Sequence, residues 1–345
     1  MNNALPYRPP SPWARFRVPL IGSSAYLVLS AALVGFKADQ LVLVGIFTMA
    51  WSASDASRRW VLGFAIFMLY WVLFDWMKAL PNHMVSAVHI GDLYDAERAL
   101  FGIAHQGTVL TPNEWLALHT APFLDVLAGL FYLCWVPVPL GFAAYLFARD
   151  KGFFLRFALC FLLVNLLGFA VYYLYPAAPP WYVAQYGLDL VAETPGNPAG
   201  LDRFDAISGL GIFQGLYGKS SNVFAAMPSL HAAYLLVAGY WAHRAGLHRA
   251  RALFAVIAAG IWWAAVYSGH HYILDVLMGI ACAALGITLF NGLSHWPYFM
   301  RWVERYRMAI EAPARPEPRL VHVGSNSGRD KYPFTKHHDN GTSDH

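Results

Sequence analysis

Two histidines and an aspartate give this sequence its clearest chemical spacing. In Tyr267-Ser268-Gly269-His270-His271-Tyr272-Ile273-Leu274-Asp275, His271 and Asp275 stand four apart, so on a helix they share a face one turn from each other. A carboxylate so placed can accept the Nδ1 proton of the imidazole, which fixes its tautomer and leaves a more basic Nε2 free. Such a ring is a nucleophile or general base awaiting an electrophile, or else half of a polar pair that only satisfies itself inside a bundle. About forty residues earlier, Phe224-Ala225-Ala226-Met227-Pro228-Ser229-Leu230-His231 reads as a helix start. Pro228 is pre-set for a first turn, and Ser229 can cap it or bind there. Unpaired N–H groups at such an end suit a phosphate. His231, in the same turn, is placed to give a proton to a leaving oxygen. The plainer alternative is an ordinary Pro-Ser helix start carrying an interfacial histidine. A third segment, Tyr175-Pro176-Ala177-Ala178-Pro179-Pro180-Trp181-Tyr182, is rich in proline and aromatics. His270 is placed either for direct contact or for hydrogen bonding to a contacting group.

The elements that must position these groups are mostly hydrocarbon. Of 345 residues, 58% are hydrophobic, 16% aromatic and only 13% charged, with a mean hydropathy of +0.41. A soluble domain carries about a quarter charged residues. This composition excludes a soluble enzyme, a disordered chain and a nucleic-acid-binding domain. Seven stretches approach the roughly 20 apolar residues needed to cross a bilayer: 18–36, 60–77, 122–148, 153–174, 226–243, 251–268 and 272–293. An eighth, 38–52, is shorter and is counted as a span because the charge pattern works only if it crosses. No short apolar region with a small-residue cleavage site follows Arg8, Arg15 and Arg17, so the first helix is expected to stay in the protein. Cys134, Cys160 and Cys282 all lie in apolar runs and read as core or lipid-facing residues, neither a disulfide framework nor a metal cluster.

Eight crossings from a cytoplasmic N-terminus place fourteen basic residues inside, from Arg8 through Arg58 and Arg59 to Arg301, Arg305 and Arg307. Only Lys37, Lys78, Arg98, Arg203 and Lys219 fall outside, although the outer loops are longer. The sequence therefore predicts a multi-pass integral membrane protein with both termini cytoplasmic, in a bacterial inner membrane. All three chemical segments then lie at the extracytoplasmic face, periplasmic or luminal. Outer loops 78–121 and 175–222 have lengths typical of functional segments. Leu93, Ala96, Leu100 and Ile103 at helical spacing predict a short helix lying at the interface. Its Asp92, Asp95 and Glu97 read as a solvated acidic face, with polyol binding as the alternative. The expected organisation is N-terminal spans with an outer interfacial loop over 1–120, a membrane core over 121–293, and a tail over 294–345 that is polar and disordered beyond about 312.

Pro228-Ser229-Leu230-His231 followed by His270-His271-Tyr272-Ile273-Leu274-Asp275 resembles the second and third signature motifs of the type 2 phosphatidic acid phosphatase superfamily. The Leu230 variant, the His-His-Tyr run and the preceding Tyr175–Tyr182 segment resemble its inositol phosphorylceramide synthase branch, over about residues 120–293. The resemblance implies an all-α transmembrane bundle whose phosphatase-like core carries a site that uses neither metal nor cofactor. It further implies that His271 attacks phosphorus to form a phospho-histidine, that Asp275 orients it, and that His231 protonates the leaving group. Ser229, His270, Pro180, Trp181, Lys219 and Arg203 are the candidates for holding phosphate and substrate. The superfamily's first motif, a Lys and then Arg-Pro, has no counterpart here, and Ala265 stands where the third motif carries its Ser-Arg. Phosphate charge then falls to helix N-termini, to His270, or to one of Lys78, Arg98, Arg203 and Lys219. That pattern favours transfer of a phosphodiester headgroup over phosphomonoester hydrolysis. The expected activity moves a phosphoalcohol, phosphoinositol foremost, from a phospholipid donor to a ceramide-like lipid alcohol within the bilayer, with no nucleic-acid partner. The runner-up is a lipid or polyprenyl phosphate phosphatase with water as acceptor. A transporter using Asp75, Asp125 and Asn165 belongs to another class, but these lie on separate spans with no inverted repeat. A zinc site from His231, His270, His271 and Asp275 is a further alternative.

Overall fold

The computed structural model describes residues 12–218 and 222–311, with side chains from residue 16. Lys219, Arg8 and the polar tail beyond 312 lie outside the described residues. The chain is helical almost throughout: α1 (Pro12–Val34), α2 (Ala38–Ala53), α3 (Asp55–Trp76), α4 (Gly91–Phe101), α5 (Pro112–Ala117), α6 (Pro122–Leu133), α7 (Pro137–Arg149) and α8 (Lys151–Leu174). The remainder are α9 (Pro180–Tyr186), α10 (Asp202–Ser208), α11 (Ile212–Tyr217), α12 (Leu230–Arg244), α13 (His248–Tyr267), α14 (Ile273–Leu293) and α15 (Pro297–Ile310). One antiparallel hairpin, β1 (Ile103–His105) with β2 (Thr108–Leu110), departs from the all-helical expectation.

Among the described residues, six segments are long and apolar enough to cross a membrane: Phe16–Val34, Asp55–Ala79, Pro122–Arg149, Lys151–Leu174, His248–Tyr267 and Ile273–Leu293. The chain is an integral membrane protein. Helices α2 and α12 are shorter, at 16 and 15 residues. The expected span 122–148 forms as two helices, because Pro137 and Pro139 lack the N–H groups that would carry α6 unbroken into α7. Ser54 ends α2 and its hydroxyl accepts the Ser57 N–H, capping α3.

Helix α12 is the hub. It packs against α13, α14 and α8, and Ala233, Leu235, Val237 and Ala238 are almost wholly enclosed. Phe64 and Phe67 of α3 tilt against Phe154, Phe157 and Phe161 of α8 with ring centroids 5.4–6.5 Å apart, within the favourable range for aromatic pairs. Gly279 lets α14 lie directly on the start of α12. A Cβ there would stand 2.1 Å from the Ser229 carbonyl oxygen, so only glycine permits this approach.

Helix α4 is where its spacing predicted, but its faces are assigned differently. Leu93 is buried while Leu100 is exposed, and Ile103 already belongs to β1. Glu97, expected on a solvated face or at a polyol, is fully buried. Helix α15 lies along α3 and α8, with Val303 and Ile310 buried and the Tyr306 hydroxyl donating to the Leu62 carbonyl at 2.6 Å.

Candidate active site

Helices α12 and α14 begin side by side, and their first turns hold the two histidines. The Ser229 N–H donates to the Asp275 carbonyl at 2.9 Å, which fixes one helix start against the other. His231 Nδ1 then lies 3.1 Å from His271 Nε2. Behind His271, its Nδ1 faces Asp275 Oδ2 at 3.5 Å, longer than an ordinary hydrogen bond. Contacts of this kind tighten when a substrate is bound and charge develops on the ring. Asp275 is wholly enclosed, and its Oδ2 also accepts the Tyr272 N–H at 2.8 Å. On the far side of His231, the Tyr217 hydroxyl is 3.5 Å from Nε2, and Tyr132 reaches Nδ1 at 3.3 Å. These contacts are satisfied by a tautomer set in which Tyr217 donates to His231 Nε2, His231 Nδ1–H donates to His271 Nε2, and His271 carries its proton on Nδ1, on the side of Asp275. In that set a ring proton of His231 meets the lone pair of His271 Nε2 directly.

These rings line a cavity of about 380 Å³, shared with Trp181, Tyr217, Lys78 and Trp135. The other residues proposed from sequence divide between binding and bracing. Ser229 is the N-cap of α12; its hydroxyl caps nothing, and its buried Oγ makes no hydrogen bond. Pro228 precedes that cap, outside the first turn in which it was expected, and its carbonyl accepts the Tyr172 hydroxyl at 3.1 Å. His270 lines the cavity, but its Nε2–H donates to the Pro198 carbonyl at 2.7 Å. Burial, with His271 alongside, pushes its pKa down to about 3, so the ring is neutral. Pro180 opens α9, and the Trp181 N–H donates to the Gly269 carbonyl at 3.0 Å, holding the turn before His270.

Arg203, a candidate phosphate ligand, is committed elsewhere. Its Nε is 2.6 Å from Asp125 Oδ1, and its guanidinium sits over the Tyr267 ring at 5.2 Å. The same Asp125 oxygen accepts the Tyr267 hydroxyl at 2.8 Å. Lys78 pairs with Asp75, and Asn165 bonds the Phe161 carbonyl and the Tyr234 hydroxyl. The polar residues named for a transport path are therefore each engaged locally. Among the described residues, no three His, Cys, Asp or Glu side chains converge to hold a metal ion.

The sequence reads Glu97 as part of a solvated face or a polyol site and does not single out Asn113; the structure gives both a bracing role. Glu97 Oε1 and Oε2 accept the Ile273 and Leu274 N–H groups at 2.9 and 3.1 Å, capping α14 two residues beyond His271. Burial pushes its carboxyl above the ordinary range, against the lowering effect of these two donors. The free amides at the start of α14, a candidate phosphate cradle, are thus occupied by Glu97 and Asp275. Asn113 donates to the Val266 and His271 carbonyls at 2.8 and 2.9 Å, bridging the loop that carries both histidines. Both come from the 78–121 segment, and only the acid's unusual place in an amphipathic helix hinted at either.

A helical membrane fold with two adjacent histidines backed by a carboxylate is chemically suited to phosphoryl transfer inside a membrane. The family model of the PAP2 superfamily matches residues 91–289, and the chain belongs to that family. It is 45% identical over 292 residues to phosphoinositol dihydroceramide synthase of Bacteroides thetaiotaomicron, covering 83% of this chain and 95% of that one. It is 31% identical over 213 residues to the inositol phosphorylceramide synthase catalytic subunit AUR1 of Saccharomyces cerevisiae, covering 58% and 53%. Against inositol phosphorylceramide synthase of Candida albicans, identity is 33% over 218 residues, covering 61% and 43%. The chain thus spans about half the length of these fungal relatives. No solved structure matches it at a significant level.

Proposed function

We propose that this chain transfers phosphoinositol from phosphatidylinositol to a ceramide-type lipid alcohol through a phospho-histidine on His271. The observation that carries the reading is the 3.1 Å approach of His231 Nδ1 to His271 Nε2, with Asp275 behind. Three steps follow from this arrangement. Substrate enters between the rings, His271 Nε2 attacks phosphorus, and the bond to the diacylglycerol oxygen breaks as His231 delivers its Nδ1 proton to that oxygen. The His271–Asp275 contact stabilises the imidazolium that forms. The primary hydroxyl of the acceptor then gives its proton back to His231 and attacks phosphorus, which breaks the P–N bond and frees His271. The 45% identity to a phosphoinositol dihydroceramide synthase supports both the donor and the acceptor. The inner-side basic residues support a site at the extracytoplasmic face with both termini in the cytoplasm.

The test uses purified protein in mixed micelles with inositol-labelled phosphatidylinositol, with and without dihydroceramide. Label is expected to move into a sphingolipid product only when the alcohol is present, and not at all in His271→Ala. Labelled inositol phosphate released at the same rate with or without the alcohol would make the enzyme a hydrolase and overturn the proposal.

A further inference from the structure

Four outer basic residues were available to meet phosphate charge, and the structure separates them. Arg98 pairs with Asp95 at 3.0 Å on the exposed face of α4, Arg203 is held by Asp125, and Lys219 lies outside the described residues. Lys78, just past the outer end of α3, is the one lysine or arginine among the described residues that lines the cavity with His231, His270 and His271. Its Nζ lies 2.9 Å from Asp75 Oδ1, and both side chains are about a quarter exposed, at 26% and 28%. A long ammonium in a half-open pair can exchange a carboxylate for a phosphate at little cost.

The same residues face a second space. A groove of about 570 Å³ runs between α1 and α2, past Tyr26, the apolar Leu43 and Ile46, and the polar Lys37 and Gln40. Groove and catalytic cavity share Asp39, Trp71, Asp75 and Lys78. These four side chains are therefore the partition between the lipid-facing surface and the site.

We propose that this partition is the doorway by which the donor phospholipid enters from the outer leaflet, with Lys78 holding its phosphate at the threshold. Asp39 and Asp75 would accept hydrogen bonds from the headgroup hydroxyls while the ammonium meets the phosphodiester. A hydroxyl-rich anionic headgroup satisfies both halves of the cluster. A neutral ceramide has hydroxyls for the carboxylates but no phosphate for the ammonium. The proposal takes its donor from the reaction described above, but its location comes from the cavity and groove alone.

Donor and acceptor kinetics test it in the full chain. Losing a charge-assisted contact, Lys78→Met is expected to raise the KM for phosphatidylinositol about tenfold. Its kcat and its KM for ceramide should stay within about twofold, and Lys78→Arg should recover the donor KM. An unchanged donor KM, or an equal rise for ceramide, overturns the doorway. A second measurement needs no turnover: His271→Ala protein is irradiated with phosphatidylinositol carrying a diazirine in its acyl chain. Crosslinks are expected on peptides bearing Tyr26, Leu43 or Trp71, and should be lost when Lys78→Met is added. Crosslinks confined to other helices overturn the proposal. If wild-type protein transfers no phosphoinositol, the reading of the reaction fails, and the crosslinking still decides the doorway.

Discussion

At the scale of single residues, the proposed mechanism asks the two histidines to separate. They lie 3.1 Å apart, His231 Nδ1 against His271 Nε2, so a phosphorus must part the rings before either could act on it. Near-attack distances of about 3–3.5 Å on each side of phosphorus require that separation. The role assigned to His231 makes a specific prediction. His231→Ala should slow transfer from phosphatidylinositol by about 10²–10⁴-fold, the ordinary worth of a positioned acid. A donor whose leaving group needs no proton, such as a nitrophenyl phosphoinositol, should form phospho-His271 at close to the wild-type rate. Equal loss with both donors, measured by burst-phase release of nitrophenol, would remove His231 from the acid role. These residues were legible because their relations are local: a four-residue spacing and a Pro-Ser helix start survive in one dimension. Lys78 was legible only as one of four candidates, since nothing in the sequence says which loop cation turns inward.

At the scale of elements, α14 is positioned by a segment distant in the chain. Glu97 of α4 takes the first two amides of α14, Asn113 takes the His271 carbonyl, and the glycine at 279 brings α14 onto Ser229. Glu97 and Asn113 are separated from the groups they hold by about 160–180 positions, which is why no pattern in the sequence revealed them in this role. The amphipathic period of α4 was readable, but period alone does not say which face meets protein. Glu97→Ala leaves two buried N–H groups without acceptors, a loss of about 1–3 kcal/mol each at most. It should lower the melting temperature in detergent and reduce kcat together. Glu97→Gln keeps one carbonyl oxygen for the pair and should recover part of both. A Glu97→Ala protein with wild-type melting and turnover would show that α14 holds its place unaided.

At the scale of the whole molecule, the proposed orientation makes the two ends of the bundle chemically unequal, and labelling can read this. In a protein whose native cysteines are replaced by alanine, a cysteine at Ser54, between α2 and α3, should resist a membrane-impermeant maleimide applied to intact cells. One at Gly107, in the hairpin loop, should react. The reverse pattern would invert the topology. The positions and order of the apolar helices could be read in advance because hydrocarbon length is a local property, although six described segments, against eight expected, reach spanning length; the split between α6 and α7 required weighing two prolines against an apolar run. The short α12 has a consequence for selectivity. Its 15 residues span about 22 Å against a hydrocarbon thickness of about 30 Å. In the proposed orientation, with Arg244 set at the inner boundary, the first turn of α12 would stop about 8 Å beneath the opposite one. The proposed phospho-histidine would at that depth meet lipid alcohols at high local concentration and bulk water rarely. The partition between alcoholysis and hydrolysis would then be set by how far the bond to be broken is sunk below the surface, with no group needed to distinguish one hydroxyl from another.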